Sequence, residues 1–226
     1  MMQIVIVGLG GIGSILVQKL CRFLYYSHEE AASIALVDGD TYEPKNYERQ
    51  EFINLGPKAE TQARELSSKY PDIEFVAFNE YVTEENIGDI IINDSIIFLC
   101  VDNHKSRKLI SEYCKELENV TLISGGNDFT DGNAQIYIRE RGSDKTPDLC
   151  AYHPEIANPE DRSPHEMSCE ELSRAEPQLY FANLGAATLM CWAFYNTVIK
   201  SDKTTSEAYF DLRKMSIMSY TREVKK

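Results

Sequence analysis

Three groups of residues in this sequence have types and spacings suited to phosphate and carboxylate chemistry. The first is Gly8-Leu9-Gly10-Gly11-Ile12-Gly13, which follows an apolar run and precedes apolar residues at helical spacing. Glycines at Gly8, Gly10, Gly11 and Gly13 allow a tight turn that brings backbone N–H groups against a phosphate, with a helix dipole behind them. Asp38 ends the next apolar run, where a ribose hydroxyl would be held. The turn alone does not select the nucleotide, and NAD is a common occupant of such a turn.

The second group is Asp38-Gly-Asp40-Thr-Tyr-Glu-Pro-Lys-Asn46-Tyr-Glu-Arg49-Gln50, with Lys58 soon after in Leu-Gly-Pro-Lys. The third is Cys100-Val-Asp102-Asn103-His104-Lys105-Ser-Arg107. A dehydrogenase needs one ribose-binding acid and an apolar face for nicotinamide. A triphosphate accounts for the rest: Arg and Lys neutralise its oxygens, and an acid holds its magnesium ion. Taken singly, Glu43, Lys45, Glu48 and Lys105 read as solvated loop charges, and Gln50 reads equally well as a packing residue that fixes the loop.

These groups must be carried by elements. Gln3–Val7 reads as a buried parallel strand, and Ile12, Ile15, Leu16, Leu20, Phe23 and Leu24 read as one face of a helix. Strands are expected at 33–37, 73–78, 95–101 and 120–124, and helices at 57–70 and 105–117. The alternation predicts an α/β fold: a Rossmann-like doubly wound sheet, mostly parallel. Asn133-Ala-Gln-Ile-Tyr-Ile alternates like a strand with one wet face. Residues 207–212 and 215–220 predict an antiparallel closing hairpin. The whole of 1–226 reads as a single domain, with a polar crossover loop at about 139–177 and then a long uncharged helix.

The chain has 226 residues, is 43% hydrophobic and carries a formal net charge of -13. That charge argues against a nucleic-acid partner, because phosphate-backbone binding needs clustered cations; it suits a partner with a basic face. The six cysteines show no disulfide-framework spacing, and the first strand begins without a signal peptide, so a cytoplasmic setting is expected. The uncharged stretch 178–199 is long enough to consider as a membrane span, but Gln178, Asn183 and Asn196 favour a buried helix.

Together the three motifs resemble the ThiF/MoeB/E1 superfamily, the activating enzymes of ubiquitin-like and sulfur-carrier proteins; Ser168-Cys169, followed by an expected helical turn, Pro177-Gln178 and Asn183, also resembles its compact bacterial ThiF-domain members. The resemblance is close over about 3–138 and looser beyond. It implies ATP and Mg2+ as cofactors, with Gly8, Gly10, Gly11, Gly13, Asp38, Asp40, Asn46, Arg49, Gln50, Lys58, Asp102 and Asn103 at the nucleotide. Within that set Gly11 cradles phosphate, Asp38 holds the ribose, and Asn46, Arg49 and Lys58 meet the phosphates. Asp102 organises magnesium near the attacking carboxylate, and Asn103 supports it. The implied substrate is the C-terminal glycine of a small β-grasp protein, converted to an acyl-adenylate, with onward thioester transfer and an E2-like acceptor as options. A homodimer is implied as well. Family members commonly carry an arginine on a helix before the first strand; here that strand starts at residue 3, so another cation or partner arrangement is expected. The alternatives are an NAD-dependent oxidoreductase and a non-catalytic ThiF-like recruitment module.

The crossover loop offers two thiols, Cys150 and Cys169. Cys169 precedes an expected helix start and is the preferred nucleophile, although Glu170 and Glu171 oppose a low thiol pKa. A competing reading takes Cys150, His153, His165 and Cys169 as a tetrahedral zinc site. The paired cysteines of the family's usual zinc site are absent from the sequence.

Overall fold

The structure is a computed structural model that describes residues 1–27, 32–161 and 179–225. Its first strand, β1 (Met2–Val7), is buried on both faces at Ile4, Val5, Ile6 and Val7, as a central parallel strand requires. It pairs in parallel with β2 (Ala32–Val37) on one side and β6 (Ser95–Leu99) on the other. Two short bridges, β3 (Thr41–Tyr42) and β4 (Gly56–Pro57), pair with each other, and β5 (Glu74–Phe78) extends the sheet beyond β2.

The order is β11-β10-β8-β7-β6-β1-β2-β5, where β7 is Val120–Asn127, β8 is Asp131–Glu140, β10 is Glu207–Asp211 and β11 is Ser216–Tyr220. A short β9 (Ser143–Asp144) pairs with β8. From β5 to β7 the neighbours run parallel; β8, β10 and β11 are each antiparallel to their inner neighbour. The doubly wound reading and the closing hairpin both hold.

Helices cover both faces. On one, α1 (Gly11–Ser27) and α6 (Tyr180–Phe194) pack over Ile4, Ile6, Phe98, Ile123 and Ile136. Phe23 meets Phe194 edge-on with ring centroids 6.3 Å apart. Each fully buried Ile or Leu contributes about 1.5–3 kcal/mol. α2 (Lys58–Lys69) extends this layer beside β5. On the other face α3 (Ile87–Ile90), α4 (His104–Cys114) and α5 (Pro154–Ala157) cover Val5, Val7, Ile97, Leu99, Leu122 and Tyr137.

The long uncharged helix expected over 178–199 is α6, continued by a widened turn at Tyr195–Ile199. Its Ala182, Asn183, Ala186, Ala187 and Met190 are buried, which explains the lack of charge without a bilayer. Among the described residues no helix is long and apolar enough to cross a membrane. The polar loop after Asp38 is braced by stacked rings. Tyr42 is buried and stacks on Phe52 at 4.0 Å, and Tyr47 stacks on the same ring at 4.4 Å.

Candidate active site

A cleft of about 590 Å³ opens at the carboxyl ends of β1, β2, β6 and β7, the crevice position where open α/β sheets hold ligands. Gly8, Gly10, Gly11, Asp38, Asp40, Arg49, Gln50, Lys58, Asp102 and Asn103 all line it. Residues far apart in sequence are thus brought to one place: most follow the end of a strand, and Arg49 and Gln50 follow the short helical turn Pro44–Glu48.

The glycine turn is shaped by its neighbours. Gly8 has φ of +89°, a backbone that disfavours any side chain. A Cβ on Gly13 would lie 1.9 Å from the Gly8 carbonyl oxygen. Gly13 is absent from the cleft lining; its part is to let α1 approach the end of β1. Gly13→Ala is therefore expected to cost about 1–3 kcal/mol of stability, measurable by denaturant unfolding, with nucleotide affinity falling in parallel.

Asp38 braces this turn. Its carboxylate accepts hydrogen bonds from the Leu9 N–H at 2.6 Å and the Asp40 N–H at 2.8 Å. Lys58, itself buried, pairs with Asp40 at 2.8 Å and lies 3.8 Å from Asp38. Burial pushes the Asp38 carboxyl up, against the pull of Lys58. For Asp40 the balance reverses: burial raises it, but Lys58 and the hydrogen bonds from Lys58 and Tyr81 outweigh that, and the net direction is down. Tyr42 ties the loop to the turn by donating to the Leu9 carbonyl at 3.1 Å. The Glu51 N–H donates to Ser14 Oγ at 3.0 Å.

Asn46 lies beneath this loop. Its side-chain oxygen accepts from the Glu43 N–H at 2.9 Å, and its own carbonyl accepts from the Arg49 and Gln50 N–H groups. It is absent from the cleft lining, and its contacts hold Arg49 and Gln50 in place.

Asp102 follows β6 and is exposed within the cleft, with Asn103 buried beside it as the N-cap of α4. Asn103 Oδ1 accepts from the Ser106 N–H at 2.8 Å. This cap explains why α4 begins at His104, one residue before the sequence-based start. Arg107 clamps the ends of β6 and β7 together. Its guanidinium donates to the Val101 carbonyl at 2.7 Å, the Gly125 carbonyl at 2.7 Å and Ser124 Oγ at 3.0 Å. Its burial depresses its pKa, opposed by the charge of Asp102.

Buried polar atoms without a partner among the described residues gather here. Gln50 Oε1, Asn103 Nδ2, His104 Nδ1, Arg107 Nε and Gln135 Oε1 all belong to cleft-lining residues. Orphaned buried groups are costly, and their concentration in one cleft fits a polar ligand. No trio of His, Cys, Asp or Glu among the described residues is placed to hold a metal on its own. Magnesium carried by a triphosphate needs only one or two carboxylates from the protein, and the exposed Asp102 fits that need.

Sequence reasoning missed several lining residues. Tyr81 lines the cleft and hydrogen-bonds Asp40, and Asn127, Asp128, Asp131, Asn133, Gln135, Glu155 and Tyr209 form its far end. A signal was present in the alternation over 133–138: Asn133 and Gln135 line the cleft, while Ala134, Ile136 and Ile138 pack into the opposite core. The expected wet face is corrected, because the strand is buried on both faces from Ala134 to Ile138 and Tyr137 packs in the core under α4.

Of the crossover residues, His165 and Cys169 lie outside the described residues. His153 has Nε2 2.8 Å from Glu207 and Nδ1 3.0 Å from Glu155. With both ring nitrogens engaged, it is not set up as a zinc ligand. Cys150 is half-buried, and burial pushes its thiol up to about 11, so it is protonated at neutral pH.

The His153–Glu207 contact links α5 to β10. Burial pulls the His153 pKa down, but the two glutamates prevail and raise it. A raised histidine pKa gives stability that is complete below its unfolded value near 6.5 and is lost as pH rises through the folded value. The melting-temperature gap between the native chain and His153→Gln is therefore expected to be widest below about pH 6.5 and to narrow as pH rises through the raised folded value. Thermal unfolding across that range checks it.

Comparison with known proteins identifies the family. Over residues 1–220 the chain matches the model of the ThiF family. It is 28% identical over 126 residues to the sulfur carrier protein ThiS adenylyltransferase of Escherichia coli K12, covering 54% of this chain and 47% of that enzyme. It is 26% identical over 140 residues to the SAMP-activating enzyme E1 of Haloferax volcanii, covering 60% and 49%. The chain thus spans about half the length of these curated relatives. Among solved structures it resembles MccB of E. coli with ATP, at a TM-score of 0.72 and 19% identity over 97% of this chain and 63% of that one. At that identity the likeness shows the fold. A family match running almost end to end, on a fold whose strand ends gather the glycine turn, the Lys58 cluster and Asp102, makes this chain a member of the ThiF family.

Proposed function

We propose that the chain uses ATP to adenylate the C-terminal carboxylate of a small ubiquitin-like or sulfur-carrier protein. The observation that carries this reading is the convergence of the glycine turn, Arg49, Lys58 and Asp102 on one cleft. Backbone N–H groups at the α1 N-terminus and the cations Arg49 and Lys58 hold the phosphates. Asp38 receives the ribose. The magnesium ion, when bound with ATP, neutralises phosphate charge, and Asp102 is the residue that would hold it.

A carboxylate oxygen of the substrate attacks the α-phosphorus. The bond from that phosphorus to the bridging oxygen breaks, pyrophosphate leaves with the electron pair, and an acyl-adenylate remains. No protein nucleophile is needed; the work is positioning and charge stabilisation. The named activities of the curated relatives support this reading over NAD chemistry. For onward thioester transfer, burial pushes the Cys150 thiol up, and the preferred nucleophile, Cys169, lies outside the described residues. A homodimer belongs to the same reading, because α6 leaves Phe181 and Trp192 exposed on its outer side.

The test is ATP–pyrophosphate exchange driven by a carrier protein ending in glycine. Carrier-dependent exchange is the expected result. ATP binding without exchange would favour a recruitment module, and preferential binding of NAD would favour an oxidoreductase.

A further inference from the structure

The cleft has two ends that differ in how their charges are paired. Across the sheet, the residues after β2 and β1 supply Asp38, Asp40, Lys58 and the glycine turn, and the residues after β6 supply Asp102. Beyond them, the turn between β7 and β8 contributes Asp128 and Asp131, and the crossover contributes Glu155. Asp128 and Asp131 are exposed, and their carboxylates face no ion-pair partner among the described residues. The turn that holds them is fixed, because the Asp128 N–H donates to the Asp131 carbonyl at 3.0 Å. Phe129, between them, is exposed and aromatic.

A second observation points to a ligand at this end. Gln135, 3% exposed, lines the same cleft with an amide oxygen that has no hydrogen-bond partner. An orphaned acceptor wants an N–H donor. Two unpaired carboxylates and a buried acceptor form a set that receives amide N–H groups and a cationic side chain.

The physical difficulty of the proposed reaction lies here too. Its substrate brings a carboxylate toward Asp102 along a wall that already carries the carboxylates of Asp128 and Asp131. A substrate with a positive side chain upstream of its terminus would turn that repulsion into attraction. We infer that the acyl substrate is a peptide or protein tail bearing Lys or Arg near its C-terminus, seated against Asp128 and Asp131 with Gln135 accepting a tail N–H. Two strand spacings separate β6 from β8, or roughly 10 Å. An extended chain covers that in about three residues, so the cation belongs about three residues before the terminal carboxylate. This inference rests on the adenylation reading for its choice of substrate.

The test uses fluorescein-labelled hexapeptides ending in Gly-Gly, with Lys, norleucine or Glu at the third position from the C-terminus. Their affinities for the full chain are measured by anisotropy with a non-hydrolysable ATP analogue and Mg2+. The Lys peptide is expected to bind about tenfold more tightly than the norleucine peptide, with Glu weakest. The advantage should shrink at high salt and fall toward unity in D128N/D131N. Equal binding of the Lys and norleucine peptides, no measurable binding of either, or an advantage untouched by D128N/D131N would overturn it. ATP–pyrophosphate exchange with the same peptides is read separately. A Lys preference in binding without exchange would count against the adenylation reading and leave the cation site standing.

Discussion

Asp102→Asn is expected to lower carrier-dependent ATP–pyrophosphate exchange by on the order of 10²–10³-fold, the usual scale for removing one group aimed at transition-state charge. The carboxylate is exposed in the cleft at the end of β6 and braces no neighbouring backbone group in the described structure. Its substitution should therefore shift folding stability by no more than about 0.5 kcal/mol. The amide keeps the shape and removes the negative charge that would meet magnesium. ATP affinity measured without Mg2+ should change little, whereas the gain in affinity on adding Mg2+ should shrink. Exchange that survives at the native rate would remove Asp102 from the chemistry.

Lys58→Met carries the second large effect, and it acts on fold and function together. Lys58 is the counter-charge for two carboxylates, at 2.8 Å from Asp40 and 3.8 Å from Asp38, and Asp38 is itself buried. Removing one partner of a buried charged cluster leaves the others uncompensated, at a cost of about 3–5 kcal/mol. Asp38 also anchors the Leu9 N–H, so a disturbed Asp38 loosens the glycine turn. Burial already raises the Asp38 pKa, and losing Lys58 raises it further. A carboxyl with a raised folded pKa is most favourable to folding when protonated, so the deficit of Lys58→Met should narrow as pH falls through that raised value. Chemical denaturation at two pH values checks both magnitude and sign. A variant as stable as the native chain at neutral pH would show that the Asp38–Lys58–Asp40 contact does not support the loop.

The sheet was legible from sequence for a simple reason. Parallel strands buried on both faces read as unbroken apolar runs, as 4–7 and 96–99 do, and each leads directly into a residue that lines the cleft, Gly8 or Cys100. The nucleotide end of the site was legible because its residues sit next to those strand ends. Asn46 and Gly13 show the limit: their types fit a phosphate site, but their contacts are with the protein's own backbone. Spacing alone does not separate a residue that touches a ligand from one that shapes the loop. The far end of the cleft was not legible. Asp128, Asp131 and Gln135 reach it only because β8 turns back antiparallel beside β7, and Glu155 and Tyr209 arrive from the crossover and from β10. Those are pairings between distant segments, and no local pattern encodes them.

The central claim is that one cleft holds an adenylate joined to a substrate's terminal carbonyl. Calorimetric titration with 5′-O-(glycylsulfamoyl)adenosine, a stable mimic of a glycyl-adenylate, tests it without knowledge of the carrier. The mimic is predicted to bind at one site per chain, at least about 10²-fold more tightly than AMP or NAD, as analogues of reactive intermediates do. It should also displace ATP. Binding no tighter than AMP, or tighter binding of NAD, would contradict an adenylating site.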